Sequence, residues 1–165
     1  LFRSGDRRVL LVTGSRALRH APAQRWAIAR LLEQFAWLME SEDPLLIHGG
    51  CVESPDARSS WIATQLDVRQ RIYYASGKLA VWQGSGEATW RRWAEGAPPS
   101  PLDRNRYMIE TVARKLQGLP LRVLALRAPW ATTHGTEHTV TVARRAGLDV
   151  VEIVCPPECG PTEGR

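Results

Sequence analysis

The chain has 165 residues, 44% hydrophobic and 24% charged, a composition typical of one soluble globular domain. No apolar run reaches the roughly 18 residues of a membrane span, and the N-terminal stretch "LFRSGDRR" lacks the apolar core of a signal peptide. The net charge of +5 favours an anionic ligand such as a nucleotide and permits nucleic acid, while an odd number of cysteines favours a cytoplasmic location.

Two strand–helix units are predicted first. The apolar run "RVLLVTG" at residues 8–14 predicts a buried strand. "LLIHGG" predicts a second strand, and "SPDARSSWIATQLDVRQRI" predicts a helix with Ser54 or Asp56 as its cap. "KLAVW" predicts a third, short strand. The helix between the first two strands is predicted from an apolar stripe at three- and four-residue steps, formed by Trp26, Ile28, Leu31, Leu32, Phe35 and Leu38.

Residues 83–100 interrupt the alternation of strands and helices. Glycines and prolines lie at both ends of this segment, which predicts an insertion or lid with a short helix around "WRRW". A helix over "LDRNRYMIETVARKLQG", a strand over "PLRVLALRA", a helix over "GTEHTVTVARRAG" and a strand over "LDVVEIV" follow, with a tail at 156–165.

Alternating strands and helices indicate an α/β fold. We predict one domain over residues 1–165, a Rossmann-like doubly wound parallel sheet of about five strands with helices on both faces. Ligands in such folds bind at the carboxyl ends of the strands, near the point where the strand order reverses. Residues that directly follow strands are therefore the candidates for a binding site.

The first candidates follow the first strand. Gly14 permits a tight turn, Ser15 supplies a hydroxyl, and Arg16 can bind a phosphate or carboxylate. The pattern is not G-x-G-x-x-G, so the dinucleotide fingerprint is absent. The alternative is a capped turn with a surface arginine.

The second candidates follow the second strand. Gly49 and Gly50 let a ligand approach the backbone, with His48 and Asp56 beside them. As alternatives, His48 forms a hydrogen bond in the core and Asp56 only caps a helix. Cys51 is interpreted as a buried small residue, because no base for a thiol nucleophile is evident.

Arg104, Asn105 and Arg106 lie at the predicted start of the long helix. Positive charge at a helix N-terminus opposes the helix dipole. A sequence that places two arginines there is expected to gain an anion contact in return.

The stretch "THGTEHTV" at residues 133–140 has two interpretations. His134 and His138 are four residues apart, a spacing common among zinc ligands. A glycine turn that opens a helix also binds phosphate. We favour a phosphate site formed by His134, Gly135 and Thr136, because His134 is predicted to precede the helix and no further metal ligand is nearby. No metal or cofactor is predicted.

These motifs together resemble the SLOG superfamily of Rossmann-like proteins. "VTGSR", "HGG" with a downstream Asp, "RNRYM", and "GT" followed by "ARRAGLDV" cover residues 8–155 in the family's order. The superfamily includes the LOG phosphoribohydrolases and the DNA-processing protein DprA. The chain is most similar to small uncharacterised bacterial and phage members described as nucleotide-binding. The resemblance implies that nucleotide phosphate binds at Gly135 and Thr136, with contributions from the other three motifs.

The resemblance also defines three functional hypotheses. LOG enzymes carry P-G-G-x-G-T-x-E-E, but the two acidic positions are His138 and Thr139 here, and Glu137 lies one residue early, about 100° around the helix. Ligand binding without catalysis is therefore the first hypothesis. The second is N-glycosidic cleavage of nucleoside 5′-monophosphates, with Arg104, Glu137 and His138 as catalytic candidates. The third is DprA-like binding of single-stranded DNA through Trp90 and Trp93. A homodimer or higher oligomer is compatible with each of the three hypotheses.

Overall fold

The computed structural model describes residues 7–84, 86–96, 99–132 and 134–162. Parts of the predicted insertion, Thr133 of the predicted glycine turn and the end of the predicted tail lie outside the described residues. The strands in the described part are β1 Arg7–Gly14, β2 Asp43–His48, β3 Arg69–Tyr73, β4 Lys78–Trp82, β5 Thr89–Arg92, β6 Leu121–Arg127 and β7 Asp149–Val154. The α-helices there are α1 Ala21–Leu38, α2 Pro55–Gln65, α3 Pro101–Lys115 and α4 His134–Arg145.

All seven of these strands form one sheet in the order β5-β4-β3-β2-β1-β6-β7. β3, β2, β1, β6 and β7 are parallel to one another, and β4 and β5 extend the sheet in antiparallel fashion beyond β3. The chain moves outward from β1 to β5 and then returns to place β6 on the other side of β1, so the strand order reverses between β1 and β6. The α/β class is confirmed, but the predicted five-stranded, wholly parallel sheet is corrected to a mixed sheet of seven.

The helices cover both faces of the sheet, as predicted. Because side chains alternate along a strand, β1 sends Leu10 and Val12 to one face and Val9 and Leu11 to the other. α1 and α2 pack on the first face, and α3 and α4 pack on the second. No helix among the described residues is long and apolar enough to cross a membrane.

β3 lies inside the segment that the sequence analysis assigned to one helix. That helix ends at Gln65, and Asp67 then adopts a positive φ of 57°. Glycine usually occupies such a position after a helix, so the sequence gives no obvious sign of the end. The chain then pairs with β2, where Gln70 lies opposite Leu46 and Ile72 lies opposite His48.

The predicted helix around "WRRW" is wrong, because Thr89–Arg92 forms strand β5. Trp90 lies opposite Ala80 of β4, and Arg92 lies opposite Lys78. A helix of so few residues forms few internal hydrogen bonds and is unstable alone. Pairing with the edge of β4 satisfies the backbone of this segment instead.

Candidate functional site

A cavity of about 380 Å³ opens at the carboxyl ends of β1, β2 and β6, next to the reversal of strand order. This volume falls within the range of about 300–1,000 Å³ that is usual for small-molecule sites. The cavity is lined by the end of β1 and by the turns after β1, β2 and β6. The first turns of α2, α3 and α4 complete the lining. The lining side chains that the sequence analysis had not selected are Val12, Thr13, Ala17, Cys51, Pro101, Met108, Ala131 and Thr132.

The turn after β1 contributes backbone and a cation. A Cβ on Gly14 would collide with the ring of Pro55 at the start of α2, so glycine lets β1 and α2 approach closely. Ser15 is buried, and its hydroxyl accepts a hydrogen bond from the amide of Ala17 at 3.1 Å. Arg16 is exposed, lines the cavity and forms no ion pair with any described residue. Its guanidinium is therefore available to an anion.

Asp56 contributes a carboxylate to the cavity although it is only 4% exposed. Its Oδ2 accepts hydrogen bonds from the amides of Gly49, at 3.1 Å, and Cys51, at 3.4 Å. Burial raises the pKa of Asp56 to about 6, against the opposing effects of the Arg104 cation and the two amides. The helix cap is Ser54, whose hydroxyl accepts from the Asp56 amide at 3.2 Å, so the Asp56 carboxylate has another role.

His48 holds the turn after β2 and does not line the cavity. Its Nδ1 accepts a hydrogen bond from the amide of Gly50 at 3.0 Å, so Nε2 carries the proton and lies 3.4 Å from Oε1 of Gln70. Gly50 needs its positive φ of 66° for this turn. Burial lowers the pKa of His48 to about 4, and the Arg104 cation acts in the same direction. His48 is thus neutral at physiological pH and has a positioning role.

Arg104 lines the cavity but is only 5% exposed and is heavily hydrogen-bonded. Its Nη1 donates to the carbonyl oxygens of Gly49 and of Tyr73, the latter at 2.9 Å. Its Nε donates to Oδ1 of Asn105 at 2.7 Å, and its Nη2 lies 3.5 Å from Sγ of Cys51. Arg104 therefore connects α3 to the ends of β2 and β3, a structural role that sequence reasoning missed because its partners are distant in sequence.

The N-terminus of α4 faces the cavity at Gly135 and Thr136. His134 is the first residue of the helix, one position earlier than predicted, and its side chain does not line the cavity. Asn105 donates to the carbonyl oxygen of Gly135 at 3.3 Å, and the Thr139 hydroxyl donates to the same oxygen at 3.0 Å. The amides of a first helical turn have no partner within the helix, and the helix dipole makes this end attractive to an anion.

Of the three catalytic candidates, only Arg104 lines the cavity; Glu137 and His138 lie outside it. Glu137 forms an ion pair at 2.5 Å with Arg127, which also pairs with Glu152 of β7. Burial and the cation of Arg106 lower the pKa of His138, against the effect of Asp103. Arg106 is exposed and also lies outside the cavity lining. In the described part of the chain, no three His, Cys, Asp or Glu side chains are grouped so that they can hold a metal ion.

Comparisons of the chain with family models, with curated proteins and with solved structures found no match.

Proposed function

We propose that this chain is a Rossmann-like, SLOG-type domain that binds a nucleotide or nucleotide-derived ligand in the cavity, with the ligand phosphate at the N-terminus of α4. The observation that carries the proposal is the opening of this helix into the cavity at Gly135 and Thr136, beside the point where the strand order reverses. Helix N-termini bind phosphate through free amides, and α/β sheets bind ligands at such reversals. Arg16, which forms no ion pair with the described residues, adds a cation to the same cavity.

The test is calorimetric titration with AMP, CMP and inorganic phosphate. Replacement of Arg16 in Arg16→Gln removes one charge-assisted hydrogen bond, so we expect about 10- to 100-fold weaker nucleotide binding. The matched control is Arg25→Gln, an exposed arginine of α1 outside the cavity, which should bind as the wild type does. Absence of any nucleotide binding by the wild-type protein would contradict the proposal.

The phosphoribohydrolase alternative receives no support from α4, because Glu137 and His138 do not line the cavity. Cleavage of an N-glycosidic bond requires a proton donor or acceptor within hydrogen-bond reach of the reacting groups. We therefore propose that the domain binds its ligand and that neither Glu137 nor His138 catalyses release of the base.

A second candidate function, binding of single-stranded nucleic acid, is favoured by the surface of β4 and β5. Trp90 is 57% exposed and stacks on Tyr74 with ring centroids 5.8 Å apart. Neighbouring Lys78 and Arg91 form no ion pair with the described residues. Exposed aromatic rings stack on bases, and free cations contact phosphates. Trp93 is less suited to stacking on a base, because it is half-buried and packs on Tyr107 with ring centroids 4.9 Å apart.

Salt-dependent titration of a fluorescent oligonucleotide tests this second candidate. Trp90→Ala should weaken binding about 5- to 100-fold, the loss of one base–aromatic stack. Trp61→Ala is the matched control, because Trp61 is a tryptophan on α2 that is 65% exposed, slightly more than Trp90. Equal affinities for wild type and Trp90→Ala would remove this candidate.

A further inference from the structure

The cavity has two chemically different ends. Gly135, at the N-terminus of α4, follows β6, and Asp56 lies beside the end of β2. β6 and β2 flank β1 on opposite sides, so the two ends are separated by two strand spacings, roughly 10 Å. A carboxylate repels phosphate, so Asp56 must contact a different part of any ligand that fills the cavity.

The Asp56 carboxylate has unused hydrogen-bonding capacity inside the cavity. Both backbone amides donate to its Oδ2, and no nitrogen or hydroxyl of the described residues donates to its Oδ1. The Cys51 thiol, a weak donor, also forms a hydrogen bond with the carboxylate. An ionised carboxylate has about four acceptor positions, so two amides and a weak thiol donor leave Asp56 with acceptor capacity in the cavity that it lines. A ligand that supplies a donor at this end therefore gains free energy from a group that is already desolvated.

Other roles for Asp56 do not use the full acceptor capacity of its carboxylate. The amide hydrogen bonds that hold the turn after β2 involve only Oδ2 of Asp56. The cap of α2 is Ser54 and not Asp56. A metal site would need further ligands, and the described residues contain no such group. A neutral hydroxyl donor on the ligand fits better than a cation, because the buried Arg104 guanidinium already contributes positive charge beside this carboxylate.

We propose that Asp56 accepts hydrogen bonds from the vicinal hydroxyls of a pentose whose phosphate lies at the N-terminus of α4, so that the cavity selects pentose phosphates and ribonucleoside 5′-monophosphates over inorganic phosphate. This inference rests on the proposed function of the cavity. A pentose phosphate carries an anion at one end and hydroxyl donors at the other, which matches the order of groups along the edge of the sheet. With a pKa of about 6, the Asp56 carboxyl is ionised at pH 7.5 and accepts such bonds.

The test is calorimetry of Asp56→Asn at pH 7.5 with ribose 5-phosphate, AMP and inorganic phosphate. The asparagine carbonyl can still accept from the Gly49 and Cys51 amides, while its amino group replaces Oδ1 with a donor. Both sugar phosphates should bind about 10- to 100-fold more weakly, and inorganic phosphate within twofold of wild type. Asp149→Asn is the control, because Asp149 is exposed at the start of β7, outside the cavity.

A ligand without the two hydroxyls tests the same inference on the wild-type protein. Wild-type protein should bind 2′,3′-dideoxy-AMP about 10- to 100-fold more weakly than AMP, because the hydroxyl donors are missing. Equal affinities for these two ligands would overturn the inference, as would a loss in Asp56→Asn that is the same for all three probes. A loss confined to AMP would assign Asp56 to the base and also overturn it. Failure of wild-type protein to bind any probe would instead refute the proposed function of the cavity.

Discussion

The carboxyl edge of β1, β2 and β6 and the antiparallel extension of β4 and β5 are built in opposite ways. At the carboxyl edge, His48, Asp56 and Arg104 are buried and bonded to backbone groups of other segments. On the extension, every residue of Thr89–Arg92 is exposed. A buried polar group couples ligand binding to folding, whereas an exposed one can be changed at little cost in stability. Substitutions at the carboxyl edge should therefore change stability, and those on the extension should not.

The largest effect is expected for Arg104→Ala. This change leaves the buried carbonyl oxygens of Gly49 and Tyr73 without their donor. Each unsatisfied group costs about 1–3 kcal/mol, so we expect a loss of about 4 kcal/mol in the free energy of unfolding. Arg91→Ala on β5 should change it by less than about 0.5 kcal/mol. Chemical denaturation measures both variants, and a small loss for Arg104→Ala would show that the carbonyls find other partners.

The next effect concerns how the free energy of unfolding changes with pH, to which the Asp56 carboxyl is expected to contribute. Its folded pKa of about 6 lies above the usual 3.8, so its stabilising contribution is complete below pH 3.8 and is lost as pH rises through 6. The shift corresponds to about 3 kcal/mol. Asp56→Asn cannot ionise, so its stability relative to wild type should rise by about this amount between pH 4 and pH 7.5. Denaturation of both proteins at these two pH values gives the difference; parallel curves would show that the carboxyl titrates normally.

Gly135→Ala should separate stability from binding. An added Cβ has no described neighbour closer than 4.0 Å, the distance to Nδ2 of Asn105, and alanine stabilises a helix by about 0.5–1 kcal/mol relative to glycine. We expect slightly higher thermal stability and about 10-fold weaker phosphate binding, the equivalent of about 1.4 kcal/mol, because the methyl group crowds the free amides. Gly49→Ala is the contrasting variant, since its Cβ would lie 2.7 Å from Cζ of Arg104 and should destabilise the fold. Unchanged nucleotide affinity in Gly135→Ala would place the phosphate elsewhere.

The smallest effect is expected for His138→Ala, which should leave nucleotide affinity unchanged because His138 lies outside the cavity. Base release from AMP or CMP should be undetectable in wild type and variant, since a missing general acid or base lowers a rate by about 10²–10⁴-fold. Chromatography of the reaction mixture detects free base. Turnover that disappears in His138→Ala but persists in Glu137→Ala would make His138 catalytic.

The positions of most elements could be predicted from local sequence. The apolar runs of β1, β2, β6 and β7 and the periodic stripes of α1, α3 and α4 depend on neighbours within a few residues, so the sequence displays them directly. β3 could not be predicted, because the preceding helix ends at Gln65 and the positive-φ position after it is Asp67 and not a glycine. β5 exists only because the edge of β4 supplies its backbone partners.

The order of strands and helices in the sequence was enough to predict that Arg16, Asp56 and Gly135 lie near one edge of the sheet, because each follows a strand of the parallel part. Arg104 reaches the same edge because α3, which follows the antiparallel β5, packs beside it. The tertiary structure alone decided what each side chain does there. Arg104 bonds to carbonyls 55 and 31 residues away in sequence, and Glu137 turns from the cavity to Arg127. Partners so distant are set by packing of α3 and α4 on the sheet, which no local pattern of residues encodes.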